Sequence, residues 1–313
     1  MVSAYIAWYL FLAGAGGGAF LLGSIVDLVL RFFPGAGRGW FSRVSAVTDA
    51  GLVLGPVLVL ASAAFLVVDL GVPERALRLF TGSAPSLLSW GAWAIALFCA
   101  AAAAALALGF LAGDEADPAA SGLRVILRAA EFAGSLIATG LALFVVGYAG
   151  VFLASYPSLP FLHTPWVPAL FIASAFATGL AALIVAAFFR QAVPGMADGV
   201  SALLPLDAIL VAVELAALIG LVVSSLFRGD APATAAFQLL GGPLAAAFWG
   251  GVVVLGLVVP LSVDFVCRPS FRLMPAAVGG ACTLVGGIML RFVLLMATQR
   301  FNLVFMSALA FWQ

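Results

Sequence analysis

YAGVFLASYPSLPFLHTPWVPALFIASAFATG, residues 148–179, reads as the end of one apolar helix, a short proline-rich loop and the start of the next. The loop region carries Pro157, Pro160, Pro165 and Pro168, the single histidine of the chain, His163, and two of its four tyrosines, Tyr148 and Tyr156. Polar aromatic groups are scarce elsewhere. Their gathering where two apolar helices meet is the first pointer to a site, and helices of this kind decide the class of the whole chain.

Working outward, 65% of the 313 residues are hydrophobic and only 8% are charged. The mean hydropathy is +1.25. A soluble domain carries about 25% charged residues, so the chain reads as an all-α, polytopic membrane protein. A spanning helix needs about 20 apolar residues. Apolar runs between charged or Pro/Gly breaks give eight: 4–30, 44–69, 89–112, 124–154, 167–190, 202–227, 241–266 and 273–299. No soluble domain interrupts them, and residues 1–313 read as a single integral membrane domain. The N-terminus lacks a basic segment and a small-residue cleavage site, so a signal peptide is not expected.

All thirteen basic residues are arginine. Eight of them (Arg31, Arg38, Arg43, Arg124, Arg128, Arg190, Arg268 and Arg272) lie at the connections after the first, third, fifth and seventh helices. Four (Arg75, Arg78, Arg228 and Arg300) lie at the other side. The positive-inside rule then places both termini outside. A net charge of zero gives no electrostatic footprint for nucleic acid. Cys99, Cys267 and Cys282 are too few and too scattered for an iron–sulfur cluster, and one histidine cannot form a bis-histidine haem site. The protein is expected to carry no redox centre of its own.

Charges inside a bilayer cost several kcal/mol and each needs a reason. Asp27, Asp49, Glu131, Asp207 and Asp264 fall toward the inner side, and Glu214 lies deeper. Asp207 and Glu214 are two turns apart and share a helix face. Arg291 lies within the eighth helix. Carboxyl groups running inward from mid-membrane suit a proton path, formed by Glu214, Asp207 and Glu131 with Arg291 nearby. The bland alternative is that Asp27, Asp49 and Asp264 cap helices or pair with arginines, and that Glu214 and Arg291 form a buried ion pair. At the outer side, Asp69, Arg75 and Arg78 share a face with Tyr148, Tyr156 and His163, and Tyr5, Trp8 and Tyr9 begin the first helix there. Interfacial aromatic belts have this composition. So does a slot for a lipid-soluble quinone, which needs an apolar wall and a phenol or imidazole for its head group. Gly14 and Gly18, four apart, let a neighbouring helix approach closely.

Four blocks carry a resemblance. They are WYLFLAGAGGGAFLLG (8–23), DLGVPER (69–75) with SWGAW (89–93), YAGVFLAS (148–155) with PWVPALFIAS (165–174), and GGIMLRFVLLMATQ (286–299). In this order and over nearly the whole sequence, they resemble the NrfD/polysulfide-reductase membrane-subunit family. The resemblance implies an eight-helix subunit in the cytoplasmic membrane of a prokaryote. It implies electron exchange between menaquinone or ubiquinone and a four-cluster ferredoxin-like iron–sulfur subunit, which serves a molybdopterin catalytic subunit. It further implies that Tyr148 is a quinone head-group ligand. The family also uses polar residues, often histidine or asparagine, at the start of the first helix. Here Tyr5, Trp8 and Tyr9 stand instead, leaving Tyr9 or His163 as the second ligand, with Arg75 and Asp69 shaping the pocket. A proton-coupled permease and a purely structural anchor are the alternatives.

Overall fold

The computed structural model describes residues 4–33, 39–71, 80, 86–113, 121–267 and 272–310. Among them there are helices and connections and no strand. The helices are α1 (Ala4–Phe32), α2 (Trp40–Thr48), α3 (Ala50–Leu70), α4 (Leu87–Ala112), α5 (Ser121–Ala154), α6 (Trp166–Phe189), α7 (Met196–Phe227) and α8 (Asp230–Leu240). A π-helical run (Ala247–Val258) continues into α9 (Val259–Cys267), and α10 (Leu273–Ala310) closes the bundle. Eight spans are long and apolar enough to cross a membrane. Six are α1, α4, α5, α6, α7 and α10. The other two are composite, α2 with α3 and the π run with α9. Hydrocarbon offers no partner to backbone N–H and C=O groups, so a sequence this apolar satisfies them within helices. The eight expected helices are present.

Two span boundaries differ most from the sequence reading. The sixth span starts at Met196, not at 202. Asp198 and Gly199 look like breaks, yet Gly195 at φ +80° makes the turn, and Asp198 sits in the first turn of α7. A carboxylate is favourable there because the helix N-terminus carries partial positive charge. The seventh span starts at Ala247, not at 241. Residues 241–244 turn the chain after α8, a short helix that falls in the connection between the sixth and seventh apolar runs. Its buried face is Pro232, Ala235, Ala236 and Leu239, the spacing of one helical stripe. Gly241 and Gly242 end α8, both donating their backbone N–H to the Phe237 carbonyl.

Hydropathy does not predict which span is central. The α1 window has a mean hydropathy of 1.7 and is 83% buried in the bundle, whereas the composite second span has 2.5 and is 22% buried. Lipid tails are as apolar as leucine, so the interior of a membrane bundle is selected for close packing rather than greasiness. Gly18 makes this visible. A Cβ there would run into the Ala175 carbonyl of α6, and a Cβ at Gly179 would run into the backbone of Ala19. Two backbones therefore cross nearly in contact at the centre of the molecule. Close approach at Gly18 fulfils the expectation from the Gly14/Gly18 spacing.

Candidate functional site

One end of the bundle collects the start of α1, the end of α3, the start of α4 and the end of α5. Trp8 of α1 stacks on Phe65 of α3, with 6.0 Å between ring centroids. Tyr148 of α5 donates its hydroxyl hydrogen to the Leu87 carbonyl of α4 at 2.8 Å. Its ring lies against Gly91, where any side chain would collide with it. Phe144 and Phe152 flank the ring at 5.8 and 5.5 Å, and Tyr156 packs on Phe152 at 5.2 Å. Tyr148 and Tyr9 are both buried. The structure therefore brings Tyr148 and Tyr156 into one aromatic cluster through Phe152, with Tyr9 on α1, which packs against α5. His163 lies on the loop that follows α5. Its side chain is exposed, and Nδ1 lies 2.6 Å from the Ala154 carbonyl, where it closes the end of α5. Arg228 donates to the His163 carbonyl at 2.7 Å, tying the loop to the end of α7. Asp69 is half-buried near the end of α3. Arg75 lies outside the described residues.

The opposite end holds an ion network. Arg31 of α1 contacts Asp27 at 2.8 Å and Glu131 of α5 at 2.6 Å, and Arg128 adds a second cation 3.6 Å from Glu131. Arg128 also donates to the Gly113 carbonyl at 2.8 Å, closing α4. The network places Glu131 between two arginines, in no contact with Asp207 or Glu214 among the described residues. Asp27 pairs with an arginine, as the bland reading expects, and Asp49 is exposed.

Between the ends runs a buried polar axis. Arg291 of α10 is 1% exposed. Its Nη1 donates to the Ser174 hydroxyl at 2.6 Å and to the Gly287 carbonyl at 2.8 Å. The guanidinium also lies over the rings of Phe11 and Phe171, at 5.6 and 5.5 Å. This is cation–π geometry in a desolvated place. Nε and Nη2 find no hydrogen-bond partner among the described residues. Gly14 leaves the space that Nη2 fills, since a Cβ there would sit 3.2 Å from it. An arginine can only donate, so the serine hydroxyl accepts from Arg291. Glu214 of α7 is buried on the same polar axis, 4% exposed. Seven residues along α7 lies Asp207, and Asp264 of α9 is buried as well. These carboxylic side chains are 2% and 3% exposed.

The pattern reading puts Asp207 and Glu214 on one face of α7, and both do lie on its buried side. Asp264, near the end of α9, is buried against the rest of the bundle, 3% exposed. Ser174, Phe11 and Phe171 carried no signal as separate letters, because an isolated serine or phenylalanine in an apolar helix is ordinary. Among the described residues there is no group of three or more His, Cys, Asp or Glu able to hold a metal ion.

Residues 2–302 match the family described as polysulphide reductase, NrfD. The protein belongs to the NrfD family. It is 28% identical over 306 residues to a polysulfide reductase subunit of Wolinella succinogenes, an alignment covering 95% of this protein and 93% of that one. It is 29% identical over 308 residues to protein NrfD of Escherichia coli K12, covering 94% and 93%. A protein NrfD homolog of Haemophilus influenzae is 27% identical over 161 residues, about half of each protein. The blocks that carry the NrfD resemblance are far apart in sequence, and three of them meet at one side chain. Phe11 and Gly14 come from the first, Phe171 and Ser174 from the third, and Gly287 with Arg291 itself from the fourth.

Proposed function

We propose that the protein is the quinone-reactive membrane subunit of a multi-subunit oxidoreductase, set in the cytoplasmic membrane with both termini outside. The observation that carries this reading is the buried tyrosine cluster at the outer end of the polar axis in a member of the NrfD family. Quinol is the substrate there. Its head group offers two O–H donors. Tyr148, which gives its hydrogen to Leu87, keeps lone pairs that can accept one of them. Tyr9 stands on the neighbouring helix as the second phenol. Asp69 and Arg75 shape the rim or the docking face. His163 is tied to the Ala154 carbonyl through Nδ1, and it joins the site through Nε2 from the loop side. Menaquinone and ubiquinone present the same donors and acceptors to these groups.

Oxidation of quinol releases two electrons and two protons. The electrons leave to a four-cluster ferredoxin-like iron–sulfur partner, and from there to a molybdopterin subunit. The names of the relatives, a subunit of polysulfide reductase and protein NrfD, support this kind of assembly. The protons use the Arg291, Ser174, Glu214 and Asp207 axis. Phe11, against Arg291, is only two residues beyond Tyr9, about 3 Å along the helix axis. Glu131, held by Arg31 and Arg128, fastens the inner ends of α1 and α5 beside this path rather than in it. The test is Tyr148→Phe in the purified complex. Quinol-dependent electron transfer should fall about 10-fold or more, with reduction of the partner by artificial dyes intact, since a lost transition-state hydrogen bond costs on that scale. Unchanged quinol turnover would overturn the role of Tyr148. A protein that purifies without redox partners and takes up solute would favour the permease.

A further inference from the structure

The end of the bundle that holds Arg31 and Glu131 also carries a cleft with no part in the function proposed above. It lies between α2 and α7, encloses about 680 Å³ and is lined by Trp40, Arg43, Asp198, Ser201, Pro205 and Ile209, among others. That is a volume typical of sites for small ligands. The two helices meet with their backbones in contact. A Cβ at Gly199 would come within 2.6 Å of the Arg43 carbonyl. Trp40 adds a tie, donating Nε1–H to the Ala202 carbonyl at 2.9 Å. Arg43 and Asp198 are both exposed, and neither takes part in an ion pair among the described residues. One cleft thus offers a cation and an anion that are not joined to each other. Ser201 adds a hydroxyl. Pro205 lies inside α7 and has no N–H, so the Ser201 carbonyl is left without the hydrogen bond that residue 205 gives in a regular helix. Polarity also changes along the cleft. Asp198 and Ser201 come first on α7, followed on the same stripe by Pro205, Leu206 and Ile209. Ile209 is 60% exposed and lies about 12 Å further along the helix axis than Ser201. In a span that enters a membrane, this is the order of a lipid leaflet, with charged groups at the rim and hydrocarbon below.

We propose that this cleft binds one phospholipid whose zwitterionic headgroup ends in a primary amine, the phosphatidylethanolamine class. The phosphate lies against the Arg43 guanidinium and the Ser201 hydroxyl. The ammonium lies against the Asp198 carboxylate and the Ser201 carbonyl. The acyl chains run along Leu206 and Ile209. The charge pattern selects the class. An anionic headgroup such as phosphatidylglycerol would satisfy Arg43 and be repelled by Asp198. A choline headgroup has no N–H to give to either acceptor, whereas a primary ammonium has three donors. Trp40 suits the rim, since indole rings concentrate where hydrocarbon meets headgroups. The site is at the opposite end of the bundle from the tyrosine cluster and needs nothing from the quinone reading.

Lipid exchange on the purified complex tests the site without turnover. The complex is stripped of lipid in detergent and mixed with equal amounts of phosphatidylethanolamine, phosphatidylcholine and phosphatidylglycerol, and native mass spectrometry counts what it retains. The wild type should keep one phosphatidylethanolamine per chain, preferred about 10-fold over phosphatidylcholine, the scale of one charge-assisted hydrogen bond. Asp198→Asn should abolish the preference over phosphatidylglycerol, because the repelling charge is gone. Arg43→Gln should lower retention of both. Both side chains are exposed, so these variants should assemble. Equal retention of the three lipids would mean that the cleft holds bulk lipid only, and overturns the proposal. A wild type that prefers phosphatidylglycerol overturns it as well. So does a preference for phosphatidylethanolamine that neither substitution changes, since the lipid then sits elsewhere.

Discussion

The molecule holds two sets of charges within its apolar helices, and they are built to opposite rules. Around Glu131 the described charges have opposite partners, Arg31 at 2.6 Å from Glu131 and 2.8 Å from Asp27 and Arg128 at 3.6 Å from Glu131, and Arg31 remains about one-third exposed. Around Glu214 the charges are sealed from the surroundings and incompletely satisfied. Among the described residues Arg291 leaves two nitrogens unpartnered, and Asp207 and Asp264 are 2% and 3% exposed. The first arrangement fastens the ends of α1 and α5 and asks nothing of the membrane interior. The second seals its charged groups inside the bundle. The contrast separates an exposed clamp from a buried polar axis, and it was invisible in the sequence, where Glu131, Asp207 and Glu214 read as one series.

The contrast breaks most readily at Arg291. Replacing it by alanine should cost about 3–5 kcal/mol, the scale for stripping one partner from a buried charged pair. The thermal midpoint of the purified complex measures this. Adding Glu214→Gln to Arg291→Gln should cost less than the two single changes summed, since each removes the reason for the other. Full additivity would mean that the two groups are not coupled.

Glu214→Gln alone sharpens the comparison differently. It should leave the folded complex in place and reduce quinol-driven proton transfer about 10-fold or more. Proton release in reconstituted vesicles is the measurement, and unaltered coupling would remove Glu214 from the path. Ser174→Ala should cost about 1–3 kcal/mol, because the buried Arg291 loses a hydrogen-bond partner. The smallest effect belongs to the clamp. Arg31 is 34% exposed at its side chain, so Arg31→Ala should cost no more than about 1 kcal/mol. The loss should shrink further as salt screens the pair. A penalty at Arg31 as large as that at Arg291 would erase the distinction between the two regions.

The sequence determined the class of fold because the physics behind it is one-dimensional. Eight runs of apolar residues can only be eight helices where no water is present to satisfy a backbone. It also settled that Asp207 and Glu214 share one face, since helical spacing alone decides that. The family blocks pointed to Tyr148. What tertiary structure decided was which helices are central and who meets whom. Composition could not rank the spans, because the least hydropathic one, α1, lies deepest in the bundle. Nor could it tell Glu131 from Glu214. Those outcomes depend on close backbone crossings such as Gly18 against Ala175, and on rotations of one helix about another, which bring together residues more than a hundred positions apart.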